Sequence, residues 1–185
     1  MKRISSVVIL LLFLLGCNSE EDPLQSGVAL RERLMEQSCS FTVEIIADYV
    51  DRTYTFSMGC SSDKDGNVSF IVLAPESIGG IGGKLTGSSG FLTFDDTALA
   101  FPLLAEGEVS PVSAPWLLMS TLRGGYMVSA GHDNGGTRLT IHDSYAQDAL
   151  QLDVWLNNDD LPKYCEILWQ GRRVLSLHIK DFAFV

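Results

Sequence analysis

Polar and apolar positions alternate along most of the chain, and the period of that alternation changes in places that divide it into elements. Over residues 27–37 the period is helical: Leu30 and Leu34 share a face, Arg31, Glu32, Arg33 and Glu36 stay on the wet side, and Ser26 is placed to cap the first turn. From Phe41 the period falls to two. Phe41, Val43, Ile45, Ala47 and Tyr49 alternate with Thr42, Glu44 and Asp48, which predicts a half-buried strand. Asp51-Arg52 turns the chain, and Tyr54, Phe56 and Met58 continue the alternation. Asp65-Gly66-Asn67 before residues 68–74 is a hairpin signal, because Gly and Asn tolerate positive φ.

The run Ile78-Gly79-Gly80-Ile81-Gly82-Gly83 is too rich in glycine for a regular strand and marks a bend in a curved sheet. Short strands are expected at 84–87, 91–94 and 97–101, joined by Ser88-Ser89-Gly90 and Asp95-Asp96. Ser113 is placed to cap a second helix over 114–123, with Pro115 in its first turn and Gly124-Gly125 at its end. Trp116-Leu117-Leu118-Met119-Ser120-Thr121-Leu122 is apolar on nearly every side, so this helix must be covered. Strands return at 126–131, 138–142, 150–156, 164–169 and 174–179, with turns at 132–136, 157–162 and 171–172. The fold class is mainly β (α+β): roughly ten antiparallel strands in a curved sheet, an N-terminal helix, and an apolar helix plugging the concave side.

The first residues are an address. Lys2 and Arg3 precede the apolar run 4–15, which is shorter than the about 20 residues of a membrane span and has the form of an export signal. Leu14-Leu15-Gly16-Cys17 resembles a bacterial lipobox. That resemblance implies cleavage before Cys17, its lipidation, and a signal peptide over 1–16, a polar tether over 17–25 and a folded domain over 26–185. Two or more acyl chains hold a protein on a bilayer where one would not. The expected location is the cell membrane, lipid-anchored, on its extracytoplasmic side. Without Lys2 and Arg3, 11 basic residues face 23 acidic ones, a formal charge of −12, so the anchor and not the protein surface should provide attachment to anionic lipid. The same acidity, and the lack of any basic cluster, exclude a nucleic-acid partner.

Along the strands the apolar residues fall on one side: Val43, Ile45 and Tyr49; Tyr54, Phe56 and Met58; Phe70 and Val72; Leu150, Leu152 and Val154; Ile167 and Trp169; Leu175, Leu177 and Ile179. Together they form one apolar concavity, the candidate ligand-binding surface. If Trp116, Leu117 and Leu122 fill it, the protein is a packed scaffold; if they fill it partly, the remainder accepts acyl chains.

These features together, with the stretch 87–101, the helix opening Ser113-Ala114-Pro115-Trp116, and the closing strands 162–169 and 173–182, resemble the LolA/LolB-like lipoprotein carrier superfamily. The resemblance implies an unclosed β-barrel, mouth-plugging helices, and an apolar interior that holds acyl chains of lipids or lipoproteins. The chain departs from that family's carriers in that no cationic residue can be placed in the concavity, since Arg123, Arg138 and Arg172 lie near turns. Two readings follow: a non-enzymatic lipid or acyl-chain carrier, or a sensor or scaffold with a filled interior that binds another envelope protein.

Other chemistry is sparse. Export permits a disulfide, and Cys39–Cys60 is the candidate pair; with a turn at 51–52, residue 60 faces 43, so the bridge needs the chain before Phe41 to fold back. Cys165 shares the inward face and is expected to be a buried thiol. Asp63-Lys64-Asp65-Gly66-Asn67 begins like a calcium loop but has Val68 and Ala74 where that loop needs Gly and Glu. Gly82-Gly83-Lys84-Leu85 lacks the Ser/Thr of a phosphate loop. His132 and His142, which flank one hairpin and could approach each other, and His178 show no metal-ligand spacing, and Asp95-Asp96 and Asp159-Asp160 point opposite ways in turns. No cofactor, metal site or catalytic group is expected.

Overall fold

A computed structural model describes residues 22–49, 52–87, 89–94, 97–101, 104–105, 108–133 and 136–185. The signal peptide, Cys17, most of the tether, Asp51, Ser88, Asp95-Asp96 and Asn134-Gly135 lie outside the described residues. No helix among the described residues is long and apolar enough to cross a membrane.

Helix α1 spans Pro23–Glu36. It starts earlier than its amphipathic pattern predicts, because Asp22 is the N-cap, its side chain accepting from the Leu24 N–H, and Pro23 presets the first turn. Ser26, the expected cap, is buried inside the helix, and residues 23–25, expected in the tether, form its first turn. Eleven strands follow as one open antiparallel sheet. They are β1 (Cys39–Asp48), β2 (Thr53–Ser62), β3 (Val68–Ala74), β4 (Gly82–Leu85), β5 (Gly90–Phe94) and β6 (Thr97–Phe101), then β9 (Tyr126–Asp133), β10 (Gly136–His142), β11 (Gln151–Leu156), β12 (Pro162–Trp169) and β13 (Arg172–Phe184). Between them β7 (Leu104–Ala105) and β8 (Glu108–Val109) make a separate small ladder, and helix α2 spans Ala114–Gly124.

The strand order, β6-β5-β4-β3-β2-β1-β13-β12-β11-β10-β9, explains the role of α2. Consecutive strands pair as hairpins, and β1 joins β13, so the chain leaves the sheet at one edge with β6 and re-enters at the other with β9. The connection must return past the sheet, and its apolar helix is what covers the concave face. Seven of its residues are buried: Ala114, Pro115, Leu117, Leu118, Met119, Thr121 and Leu122. Ser113 does not cap it through a side chain; a 3-10 turn over Pro111–Ser113 leads in, and the Ser113 hydroxyl bonds back to the Ser110 carbonyl at 2.6 Å. The two helices cap each other's C-terminal ends. Arg31 donates to the carbonyls of Leu122 and Gly125 at 2.8 Å each, and Arg123 donates to the Leu34 carbonyl.

Two local features follow from side-chain fit. Gly82 and Gly83, expected in a bend, lie within β4 because Phe70 stands opposite Gly83. A Cβ on Gly83 would come within 2.5 Å of that ring, so only glycine lets the strand pair there. The 63–67 segment is the hairpin turn expected: Asp63 Oδ1 accepts from the N–H groups of Asp65 and Asn67, Oδ2 accepts from Asn67 Nδ2, and Gly66 has φ +82°. Burial pushes the Asp63 carboxyl up, but these hydrogen bonds outweigh it and hold the group below its ordinary value.

The register corrects the cysteine geometry. Cys39 stands opposite Ser62 and Cys60 opposite Phe41, two residues off the expected pairing, so the cysteines are diagonal neighbours across β1 and β2. Diagonal positions are wider apart than a disulfide spans without backbone movement. Both are buried free thiols, so the candidate Cys39–Cys60 bridge is not formed in this structure. Cys165, also a buried free thiol, is where the inward phase of β12 puts it. His132 stands opposite Thr137 and His142 opposite Tyr126, at opposite ends of the β9–β10 ladder, so they do not approach each other.

Candidate ligand site

The concave face is built by one phase of the strand alternation. Register places Ile45 between Phe56 and Leu177, Leu152 between Ile141 and Ile167, and Val154 between Leu139 and Cys165. The candidate residues therefore do converge on one surface. Its floor is closed. Val43, Ile45, Met58, Leu152, Val154, Ile167 and Leu177 have 0% of their surface exposed, and Leu175 has 1%. Phe70, Val72, Leu150, Leu117 and Leu122 are also buried. A gap wide enough for a water molecule beside any of the first group would register as exposed surface, so protein atoms cover each of them.

The atoms that cover the floor come from both helices. Leu30 and Leu34 of α1 and Leu117, Leu118, Met119 and Leu122 of α2 are buried in the same cluster. Positions 114, 117, 118, 121 and 122 share a face of α2, and Met119, beside that face, is buried as well. Leu118 and Met119 join the filling that sequence reasoning assigned to Trp116, Leu117 and Leu122, while Trp116 is only half-buried.

The aromatic candidates sit at the rim. Tyr49, Phe56 and Trp169 are half-buried and Tyr54 is 48% exposed, at the end of the sheet where the β1–β2 and β12–β13 hairpins turn. Tyr54 has the inward phase, opposite buried Ala47, but lies beyond the cover of the helices. Tyr49 and Tyr54 meet edge to face at 6.1 Å, and the Tyr49 hydroxyl donates to the Val109 carbonyl at 3.4 Å, so β8 crosses this end. A cleft of about 260 Å³ lies among Val109, Leu150, Trp169, Asp143, Ser144 and Asp148. That is smaller than the roughly 300–1,000 Å³ of pockets that enclose small-molecule ligands, and two carboxylates stand in its wall.

Among the described residues the buried thiols of the interior are held protonated. Burial pushes the Cys39 thiol up to about 11 and the Cys60 thiol up to about 12, and burial also raises the Cys165 thiol well above its ordinary value, with the charges of Asp153 and Glu166 adding to it. Among the described residues no three His, Cys, Asp or Glu side chains are grouped to hold a metal ion.

No family model and no curated protein matches this sequence. Solved structures match its fold. An uncharacterized conserved protein from Thermus thermophilus aligns with 11% identity over 89% of this chain and 88% of its own, with a TM-score of 0.51. A LolA superfamily protein from Nitrosomonas europaea aligns with 11% identity over 86% and 93%, with a TM-score of 0.44. A chain of the complex between the CwlD amidase and the GerS lipoprotein from Clostridioides difficile aligns with 13% identity over 91% and 99%, with a TM-score of 0.45. The open antiparallel sheet with two helices on its concave side is the fold this chain shares with the Thermus thermophilus protein.

Proposed function

We propose that this chain is a non-catalytic, lipid-anchored envelope protein whose half-barrel is a filled scaffold for binding another protein. One observation carries the reading: the floor of the concavity has no exposed surface because the two helices occupy the volume an acyl chain would need. Anchoring through Cys17 rests on the lipobox-like sequence before it. Part of the apolar surface that remains exposed lies on the outer face of the sheet. Ile71 is 47%, Leu73 52% and Phe91 44% exposed on β3 and β5, and Gly59 on β2 leaves room for Ile71 and Leu73 to lie over it. Exposed apolar side chains gathered on one sheet face suit contact with a protein partner.

The carrier reading keeps the half-buried rim of Tyr49, Phe56, Trp116 and Trp169, where a tail could begin to enter. Fluorescent fatty-acid titration of the delipidated chain separates the two. The scaffold reading expects no saturable uptake, and a photo-crosslinker at position 71 or 91 to give a discrete protein adduct in cells that one at position 180 does not. Saturable uptake, lost in Phe56→Glu while the fold persists, would establish the carrier.

A further inference from the structure

We propose that helix α1 lies on the bilayer that holds the anchor, seating its exposed stripe Leu24, Val28 and Met35 in a zwitterionic lipid surface. The proposal rests on the reading that Cys17 carries the anchor, and it adds how the domain is oriented there.

The helix buries one side and leaves a second apolar stripe uncovered. Ser26, Gly27, Leu30 and Leu34 are buried against the core. Leu24, Val28 and Met35 follow at steps of four and seven residues, about one and two turns at ~3.6 residues per turn, so they share a separate line along the helix. They are 48%, 44% and 57% exposed, although packing on one core needs only one apolar face. Arg31, on the core side of this line, is bonded to the carbonyls of Leu122 and Gly125. A Cβ on Gly27 would come within 2.6 Å of Met127 Cε, so the helix sits directly on β9, the edge strand of the sheet. The next residue on β9, Val128, is 56% exposed, which places a further apolar side chain at this edge.

The anchor decides what covers the stripe. The five Cα steps from Cys17 to the N-cap Asp22 span at most about 18 Å even when fully extended, and Leu24 lies in the first turn after it. A lipidated Cys17 sits at the membrane interface, so lipid is held beside this helix at a high effective concentration. Charge selects the lipid. Glu20, Glu21 and Asp22 come to the interface with the anchor, and Glu32 and Glu36 stand exposed on α1 with Arg33. Anionic headgroups repel this border, and zwitterionic ones do not. Because α1 covers the concave side, a domain seated this way keeps Ile71 and Phe91, on the other face of the sheet, clear of lipid for a protein partner.

The test couples one hexadecyl chain through a maleimide to Cys17 of the mature chain and measures partitioning onto phosphatidylcholine vesicles by sedimentation. A single chain binds only marginally, so a further contact is readable. Supplying the chain chemically separates this result from whether cells lipidate Cys17, which the mass of the native chain extracted from membranes decides. Leu24→Gln, Val28→Gln and Met35→Gln together should weaken partitioning at least about tenfold and leave the thermal midpoint unchanged, since all three side chains are exposed. Iodide should quench a fluorophore at position 28, attached by azide coupling, less than one at position 180 when vesicles are present, and equally without them. Three results would overturn the proposal: partitioning indifferent to the triple substitution, equal quenching at the two positions on vesicles, or shielding of position 28 that follows protein concentration without vesicles, which would mean that a second copy covers the stripe.

Discussion

Leu152→Ala tests whether the concavity is packed. Leu152 is fully buried on β11, flanked in register by Ile141 and Ile167, two strands in from the β9 edge of the sheet. Truncation removes three carbons from the interior, about 2.4 kcal/mol at ~0.8 kcal/mol per group. The cavity adds to this, because hydrogen-bonded strands on both sides cannot close on it, and the expected total is about 3–5 kcal/mol. For a domain of this size each kcal/mol moves the thermal midpoint by about 2–4 °C, so the midpoint should fall by roughly 6–20 °C. Circular dichroism melts and urea titrations of wild type and variant measure it. In a lipid-free open trough the same side chain would face solvent in the folded protein, and its truncation would cost under about 1 kcal/mol. A loss that small, with an unchanged urea slope, would refute the packed interior.

Four further outcomes follow from the structure. Denatured under non-reducing conditions, the chain should titrate three thiols besides Cys17; one thiol would mean that Cys39 and Cys60 are bridged. In the folded state Cys39 and Cys60, held near 11 and 12, should resist iodoacetamide at pH 8. Arg31→Ala strips the donor from two carbonyls at the end of α2 and should cost about 2 kcal/mol in urea denaturation; Arg31→Lys should not restore it, because one ammonium cannot reproduce the guanidinium fork. Asp63→Ala should destabilise the protein above the ordinary Asp value of about 4, and the difference from wild type should vanish as pH falls through the depressed value of the folded carboxyl; a difference that persists at pH 2 would contradict the role given to its ionised form.

Most of the architecture was legible because strand burial has a period of two. The inward sets from Val43 to Ile45, Leu150 to Val154 and Leu175 to Ile179 are buried as the alternation requires. Ends and registers were not legible, since they depend on contacts distant in sequence. β13 runs to Phe184 because a bulge at Asp181, with φ 53°, realigns it along β1, where Phe182 stacks on Phe41 at 5.5 Å. The β1–β2 pairing fell two residues from the turn-based expectation, which brings Cys60 nearer to Cys39 but still leaves the two on a diagonal. Whether the trough was filled could not be read from Trp116, Leu117 and Leu122 alone, because the helix crossing depends on strand order.

Native mass spectrometry of the chain begun at residue 18, purified from cells without added lipid, tests the filled interior most directly. The account predicts the mass of the bare polypeptide. A stoichiometric adduct with the mass of a fatty acid or phospholipid, released on unfolding, would contradict it.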